Sequence, residues 1–338
     1  MEKTFFGTLP TGEGVHLYTL KSETASLSLI DYGAKIQSFN VYGREIVGGF
    51  DTLGGYLKDT SHQGATIGRV ANRIGDARFE MDGETYFVTP NNNGNCLHGG
   101  VGFDYRMWEF SDSGEDFVSF SYVSKDGEEG FPASVSVTVT FTLTDATVII
   151  DYKAIPDGKT PIALTNHSYF NLDGFGGTVE DHVAVIYADR YTEVNDKLIP
   201  NGIRPHVEGT AFDFRTPHKI GERIGGDFLG YDHNFVLTPS VYGDFAGASL
   251  PLAATVSSSG LKLSVYTDQP GIQFYIGNFL GSSPDAPDFR GGIKPIVHGA
   301  FCLEAQTEPD CISHGIGFYG KGEVYTQKTV YKVEKIGK

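Results

Sequence analysis

The chain lacks several features that mark common functions. It has three cysteines, Cys96, Cys302 and Cys311, an odd number with no paired spacing, which excludes a disulfide framework and leaves reduced thiols. It is also short of positive charge: 26 Lys and Arg against 42 Asp and Glu give a formal charge of -16. The basic residues are scattered, with no run able to neutralise successive phosphates, so nucleic acid is excluded as a partner and neutral ligands are favoured. No window approaches the roughly 18 uninterrupted apolar residues of a membrane span, and the opening "MEKTFFGTLPTGEG" has no apolar run of signal-peptide length. The expectation is a cytoplasmic protein that does not meet a membrane. Gly-rich phosphate loops, HExxH, CxxC and GxSxG are all absent, which removes the usual support for nucleotide-binding, zinc-protease and serine-hydrolase readings.

Helix signals are few as well. "TPHKIGERI" from Thr216 offers an N-cap threonine followed by Pro217, and "GGYLKDTS" is long enough for a turn or two. What the chain does have is β structure and enough apolar residues, 40% of the total, to build a sizeable core. Val135, Val137, Val139, Phe141 and Leu143 alternate with Ser136, Thr138, Thr140 and Thr142, which predicts a half-buried strand, a tight turn at Asp145 and a second strand. Shorter β runs fall at residues 25–30, 117–123, 261–266 and 322–333, separated by clusters such as "PNNNGN" and "GSSPDAPDFRGG". Many strands with long loops and no helical layer predict an all-β sandwich or barrel. With no linker and no repeat, residues 1–338 read as one large domain.

Five segments combine polar or titratable residues with glycine and aromatics: "GRVANRIGDARF", "CLHGGVGFD", "TNHSYFNL", "YDHNFVL" and "FCLEAQTEPD". In the last, strand alternation puts Phe301, Leu303 and Ala305 on one face and Cys302, Glu304 and Gln306 on the other. Glu304 is then either a solvated charge or a partly buried base. The same parity in "ALTNHSYFNL" groups Thr165, His167, Tyr169 and Asn171; a lone histidine such as His167 is more often a satisfied core residue than a catalyst. His98 precedes two glycines, where the backbone can bend closely around a ligand. Asn72 and Arg73 offer adjacent donors for hydroxyls or anions, with a structural ion pair as the other reading of Arg73. Asp232 falls in an expected loop. Gln273 and Tyr275 share a face, an amide beside an aromatic, which suits a hexose but also a capped core. Two histidines and a carboxylate also make a facial metal site, although no HxH pair is present.

Taken in order, "IGRVANRI", "LHGGVGFD" through Trp108, "GEEGFP", "LTNHSYFNLDG", "YDHNF", "QPGIQFYIGNFL" and "FCLEAQTEPD" resemble the aldose 1-epimerase (galactose mutarotase) family over residues 67 to 310. The resemblance implies a large antiparallel β-sandwich with a sugar site in an open cleft on one sheet. It implies Glu304 as general base and His167 as general acid, with Asn72, Arg73, His98, Tyr169, Asp232 and Gln273 holding the sugar. The implied reaction interconverts the α and β anomers of a free aldose such as galactose or glucose, with no redox change or group transfer and hence no cofactor. For that chemistry near neutral pH, His167 is expected to hold its proton, favoured by a nearby carboxylate. The rivals are a glycosidase with two acidic groups, a hexose-6-phosphate 1-epimerase with extra basic residues, and a non-catalytic sugar-binding protein on the same scaffold. The assembly is expected to be a monomer or a homodimer.

Overall fold

In the computed structural model, which describes residues 1–337, the alternating pattern of the sequence becomes a sheet. Val135–Thr144 and Thr147–Pro156 form the hairpin the alternation predicts, turning through Asp145 at a left-handed φ of 49°. Apolar residues of the first strand point inward and its Ser and Thr outward. These two strands belong to a ten-stranded sheet that also takes in Glu109–Ser113, Phe117–Ser124, Tyr325–Lys335, Leu261–Thr267, Ala248–Ser258 and Val183–Ile186. Tyr325–Lys335 lies between Thr147–Pro156 and Leu261–Thr267, antiparallel to both.

A second, four-stranded sheet runs in the order Ala188–Tyr191, Asp232–Leu237, Gly271–Tyr275 and Cys302–Gln306, all antiparallel. Its apolar parity, Phe235, Ile272, Phe274 and Leu303, joins the same buried cluster as Val137, Val139, Phe141 and Leu263 of the large sheet. Each such side chain contributes roughly 1.5–3 kcal/mol by leaving water. With one face committed to the core, the other face must carry the alternate residues, Asp232, Gln273, Tyr275 and Glu304. The site is positioned by this parity.

Some expected elements differ. "GGYLKDTS" contributes a real helix, Leu53–Lys58. "TPHKIGERI" does not: His218–Lys219 pairs as an edge strand and only a 3₁₀ turn, Ile220–Arg223, follows. Ile220 is fully buried there and its amide donates to the His182 carbonyl, so sheet pairing and burial override the N-cap signal. The last strand starts at Tyr325 rather than at residue 322. Asp232, expected in a loop, opens a strand. Among the described residues no helix is long and apolar enough to cross a membrane.

Candidate active site

One cavity of about 670 Å³ opens over the outer face of the four-stranded sheet, and Asn72, Arg73, His98, His167, Tyr169, Asp232 and Glu304 all line it. These residues come from five separated segments, so the fold brings together most of what the sequence singled out. Glu304 projects from Cys302–Gln306 and Asp232 from the start of Asp232–Leu237. His167 ends the short strand Thr165–His167, which pairs with Ala65–Ile67. The strand expected through "ALTNHSYFNL" stops there, yet Tyr169 keeps the His167 side and stacks on it at 5.0 Å between ring centroids.

His98 and Asn72 both take left-handed backbone, φ 55° and 62°. The Asn72 amide donates to Nδ1 of His98 at 3.1 Å, and the His98 amide donates back to the Asn72 carbonyl at 3.0 Å. Gly99 serves this turn in a way not expected. A Cβ there would meet the Gly68 carbonyl oxygen at 2.4 Å, so the glycine admits the backbone of the Gly68–Arg69 segment instead of a ligand. Arg73 donates through Nε to Asn92 and lies in the cavity wall. The other arginine of the same motif, Arg69, is buried and donates to the carbonyls of Pro132, Ala133, Ser124 and Lys125 and to the hydroxyls of Thr160 and Ser124. "GEEGFP" is likewise structural: Glu129 accepts from the Val101 amide and pairs with Arg106 at 3.1 Å.

Gln273 is placed differently from expectation. It is buried, does not line the cavity, and donates through Nε2 to Oδ1 of Asp232 at 2.7 Å. It therefore fixes the carboxylate of Asp232, which does face the cavity. Tyr275, on the same strand face, lines the cavity, and its hydroxyl oxygen accepts from the Phe279 amide.

The chemistry centres on two buried groups. Nε2 of His167 lies 3.8 Å from Oε1 of Glu304, and Oε2 of Glu304 is buried with no hydrogen-bond partner among the described residues. Burial pushes the His167 imidazolium down to about 3, and a cationic His62 or Lys35 would act in the same direction. Burial also pushes the Glu304 carboxyl well above its usual range, helped by Asp232 and opposed by Arg73. Burial thus works against the charged form of both groups. Without a sugar in the site, desolvation of His167 outweighs the pull of the nearby carboxyl. Cys302 places its Sγ 3.5 Å from Nδ1 of His167.

His98, His167 and Glu304 present ligand atoms within 4.8 Å of one another, the facial set considered for a metal. His98 does not suit that role. Its Nδ1 is occupied by the Asn72 amide, and burial keeps the ring neutral, with the charges of His62, His167 and Arg73 acting in the same direction. Its proton therefore sits on Nε2, which becomes a donor and not a metal ligand. Polar donors, a carboxyl and aromatic rings thus line one cavity over the sheet face, the make-up of a small-molecule pocket.

His62 was not singled out by the sequence, because "TSHQG" matches no pattern of spacing. Its ring nevertheless lines the cavity, 4.7 Å from the His98 ring and 5.8 Å from that of His167 between centroids.

Fold and site together define an antiparallel β protein with a polar, aromatic-walled cavity over one sheet. The sequence profile described as aldose 1-epimerase matches residues 16–332. The chain is 42% identical over 322 residues to the galactose mutarotase of Rattus norvegicus, covering 92% of this chain and 91% of that one. It is 36% identical over 344 residues to the aldose 1-epimerase of Escherichia coli, with 96% of each covered. Among solved structures, an aldose epimerase homologue from C. elegans superposes with a TM-score of 0.86 at 29% identity, over 95% of this chain and 99% of that one. The chain belongs to the aldose 1-epimerase family.

Proposed function

We propose that the protein is an aldose 1-epimerase, an isomerase that interconverts the α and β anomers of free hexoses such as galactose and glucose, with Glu304 as general base and His167 as general acid. The observation that carries this reading is the pair itself, Nε2 and Oε1 held 3.8 Å apart in the wall of a cavity. Opening a hemiacetal requires loss of the C1 hydroxyl proton and gain of one at the ring oxygen. Both oxygens are bonded to C1, so two groups a few ångströms apart reach them together.

A bound sugar changes this balance. Its hydroxyls donate to Glu304, which favours the carboxylate, and a proton moves to His167. Glu304 then takes the C1 proton as His167 protonates the ring oxygen. Rotation about C1–C2 turns the aldehyde over, and the two transfers reverse on closure. Each group ends as it began, and no redox or group-transfer partner is needed. Asp232, fixed by Gln273, and Arg73, His98, Asn72 and Tyr169 hold the ring during the turn.

The charges in the wall, Lys58, Arg73 and Lys197 against Asp59, Asp196, Asp232, Asp285 and Glu304, support a neutral sugar over a phosphorylated one. Three free, buried thiols support a cytoplasmic location. A monomer or homodimer serves the mechanism equally, since every named group comes from one chain.

The test is polarimetry on fresh α-D-galactose and α-D-glucose, where accelerated mutarotation is expected with one or both. No acceleration with either sinks the proposal. Glu304→Gln and His167→Asn are each expected to lower the rate at least about 100-fold, and near-normal turnover removes the assigned role. An aryl glycoside serves as control, because Asp232 shares the cavity with Glu304 and a two-carboxylate glycosidase would release the aglycone.

A further inference from the structure

The mechanism leaves one ionisable pair beside the site unused. His62 sits in the turn between Leu53–Lys58 and Ala65–Ile67, at a left-handed φ of 60°. Its Nδ1 is 2.7 Å from Oδ2 of Asp104, a fully buried carboxylate. That is the ring's one hydrogen bond among the described residues, and Oδ1 of Asp104 has no partner among them. A carboxylate only accepts, so Nδ1 carries a proton and, in the neutral ring, the lone pair is on Nε2.

His98 is the mirror case. Its Nδ1 accepts from Asn72, so its Nε2 carries the proton. The two imidazoles meet edge to face, with centroids 4.7 Å apart, and both line the cavity. One ring offers a donor and its neighbour an acceptor. A sugar hydroxyl accepts and donates at once, and it is satisfied best where both partners are present. Arg73, by contrast, can only donate.

We infer that His62, held in its tautomer by Asp104, is a sugar-binding residue: its Nε2 accepts the hydrogen of the same hydroxyl to which Nε2 of His98 donates. The inference rests on the reading of the cavity as an aldose site and names a further contact within it.

Mutarotation kinetics of His62→Asn test this. Asn tolerates the left-handed backbone and so keeps the turn, while its shorter side chain does not reach the hydroxyl. KM for the preferred hexose is expected to rise about ten-fold, with kcat changing much less. The discriminating measurement repeats the comparison on the 2-, 3-, 4- and 6-deoxy forms of that hexose. For one of them the penalty should nearly vanish, since the wild type has no hydroxyl there to lose. Asp104→Asn, which still accepts from Nδ1, should give a smaller rise than His62→Asn. An unchanged KM, or a penalty equal across all the deoxy sugars, overturns the contact. A wild type that accelerates no sugar at all overturns instead the aldose reading on which the contact rests.

Discussion

The two arginines of "GRVANRI" show how far single residues can be read. Both stand in one short motif, and nothing in the string separates them. The fold does: Arg69 clamps four carbonyls and two hydroxyls in the interior, whereas Arg73 borders the cavity. Arg69→Met leaves those acceptors buried without a donor and should cost at least about 3 kcal/mol, read as a fall of several degrees in melting temperature. Arg73→Met should keep the melting temperature within about 2 °C and instead raise KM about ten-fold or more, as expected of a lost charged hydrogen bond. Reversed outcomes would exchange the two roles.

The buried protolytic groups also set how stability follows pH. His167 and His98 have folded-state pKa values below their ordinary one, His167 at about 3. The unfolded chain therefore binds more protons than the folded chain below about pH 6.5, and stability is lost as pH falls through that range. Glu304 works in the opposite direction. Its folded pKa is raised, so its contribution is present below about pH 4.5 and declines as pH rises. Urea unfolding between pH 6.5 and 5 should show a slope shallower by about 1.4 kcal/mol per pH unit in His167→Asn than in wild type. Glu304→Gln, although expected to lose activity, should be more stable than wild type at pH 8 by about 1 kcal/mol or more, and the gain should shrink toward pH 4.5. Equal slopes would show that the histidine is solvated in the native state.

At the scale of elements, strand parity was the most legible feature. Alternation in "FCLEAQ" and "GIQFY" places Glu304 and Gln273 opposite a committed apolar face, and the register pairs those two residues directly. Parity fixes a side and not a depth. It cannot tell that Gln273 stops beneath Asp232 while Glu304 reaches the cavity. Nor does it see turns such as the one carrying His62, whose role comes from neighbours far away in the chain. The helix signal of Thr216 and Pro217 failed for the same reason, because a local cap is worth about 1 kcal/mol and a buried pairing strand is worth more. The glycine pair after His98 was legible as a bend, but not in its purpose. Gly99→Ala combines a φ of 78° with a contact on the Gly68 carbonyl, and it should destabilise by more than about 1 kcal/mol. Because the turn also carries His98, KM should rise in the same variant; a stable Gly99→Ala with unchanged kinetics would show that the turn relaxes freely.

For the whole molecule, collinear segments identified the family even where each one alone was ambiguous, since seven matches in order constrain far more than any of them. What no segment contains is the sheet order. The strand Tyr325–Lys335 is latest in the chain among those of the large sheet, yet it lies between Thr147–Pro156 and Leu261–Thr267. Removing residues 325–338 should therefore abolish folding rather than trim an edge, and the truncated chain is expected in the insoluble fraction, with no near-ultraviolet dichroism if recovered. A soluble, active truncation would show that the two halves of the sheet can close on each other.

That central strand also bears on biosynthesis. A ribosome makes residues from the N-terminus onward, so the two strands it joins are finished well before residue 325 is added. Each then presents an unpaired edge with exposed amides and carbonyls, the surface on which chains aggregate. The ten-stranded sheet cannot be completed during translation of its first nine strands, and holding those open edges apart becomes a task for chaperones in the interval.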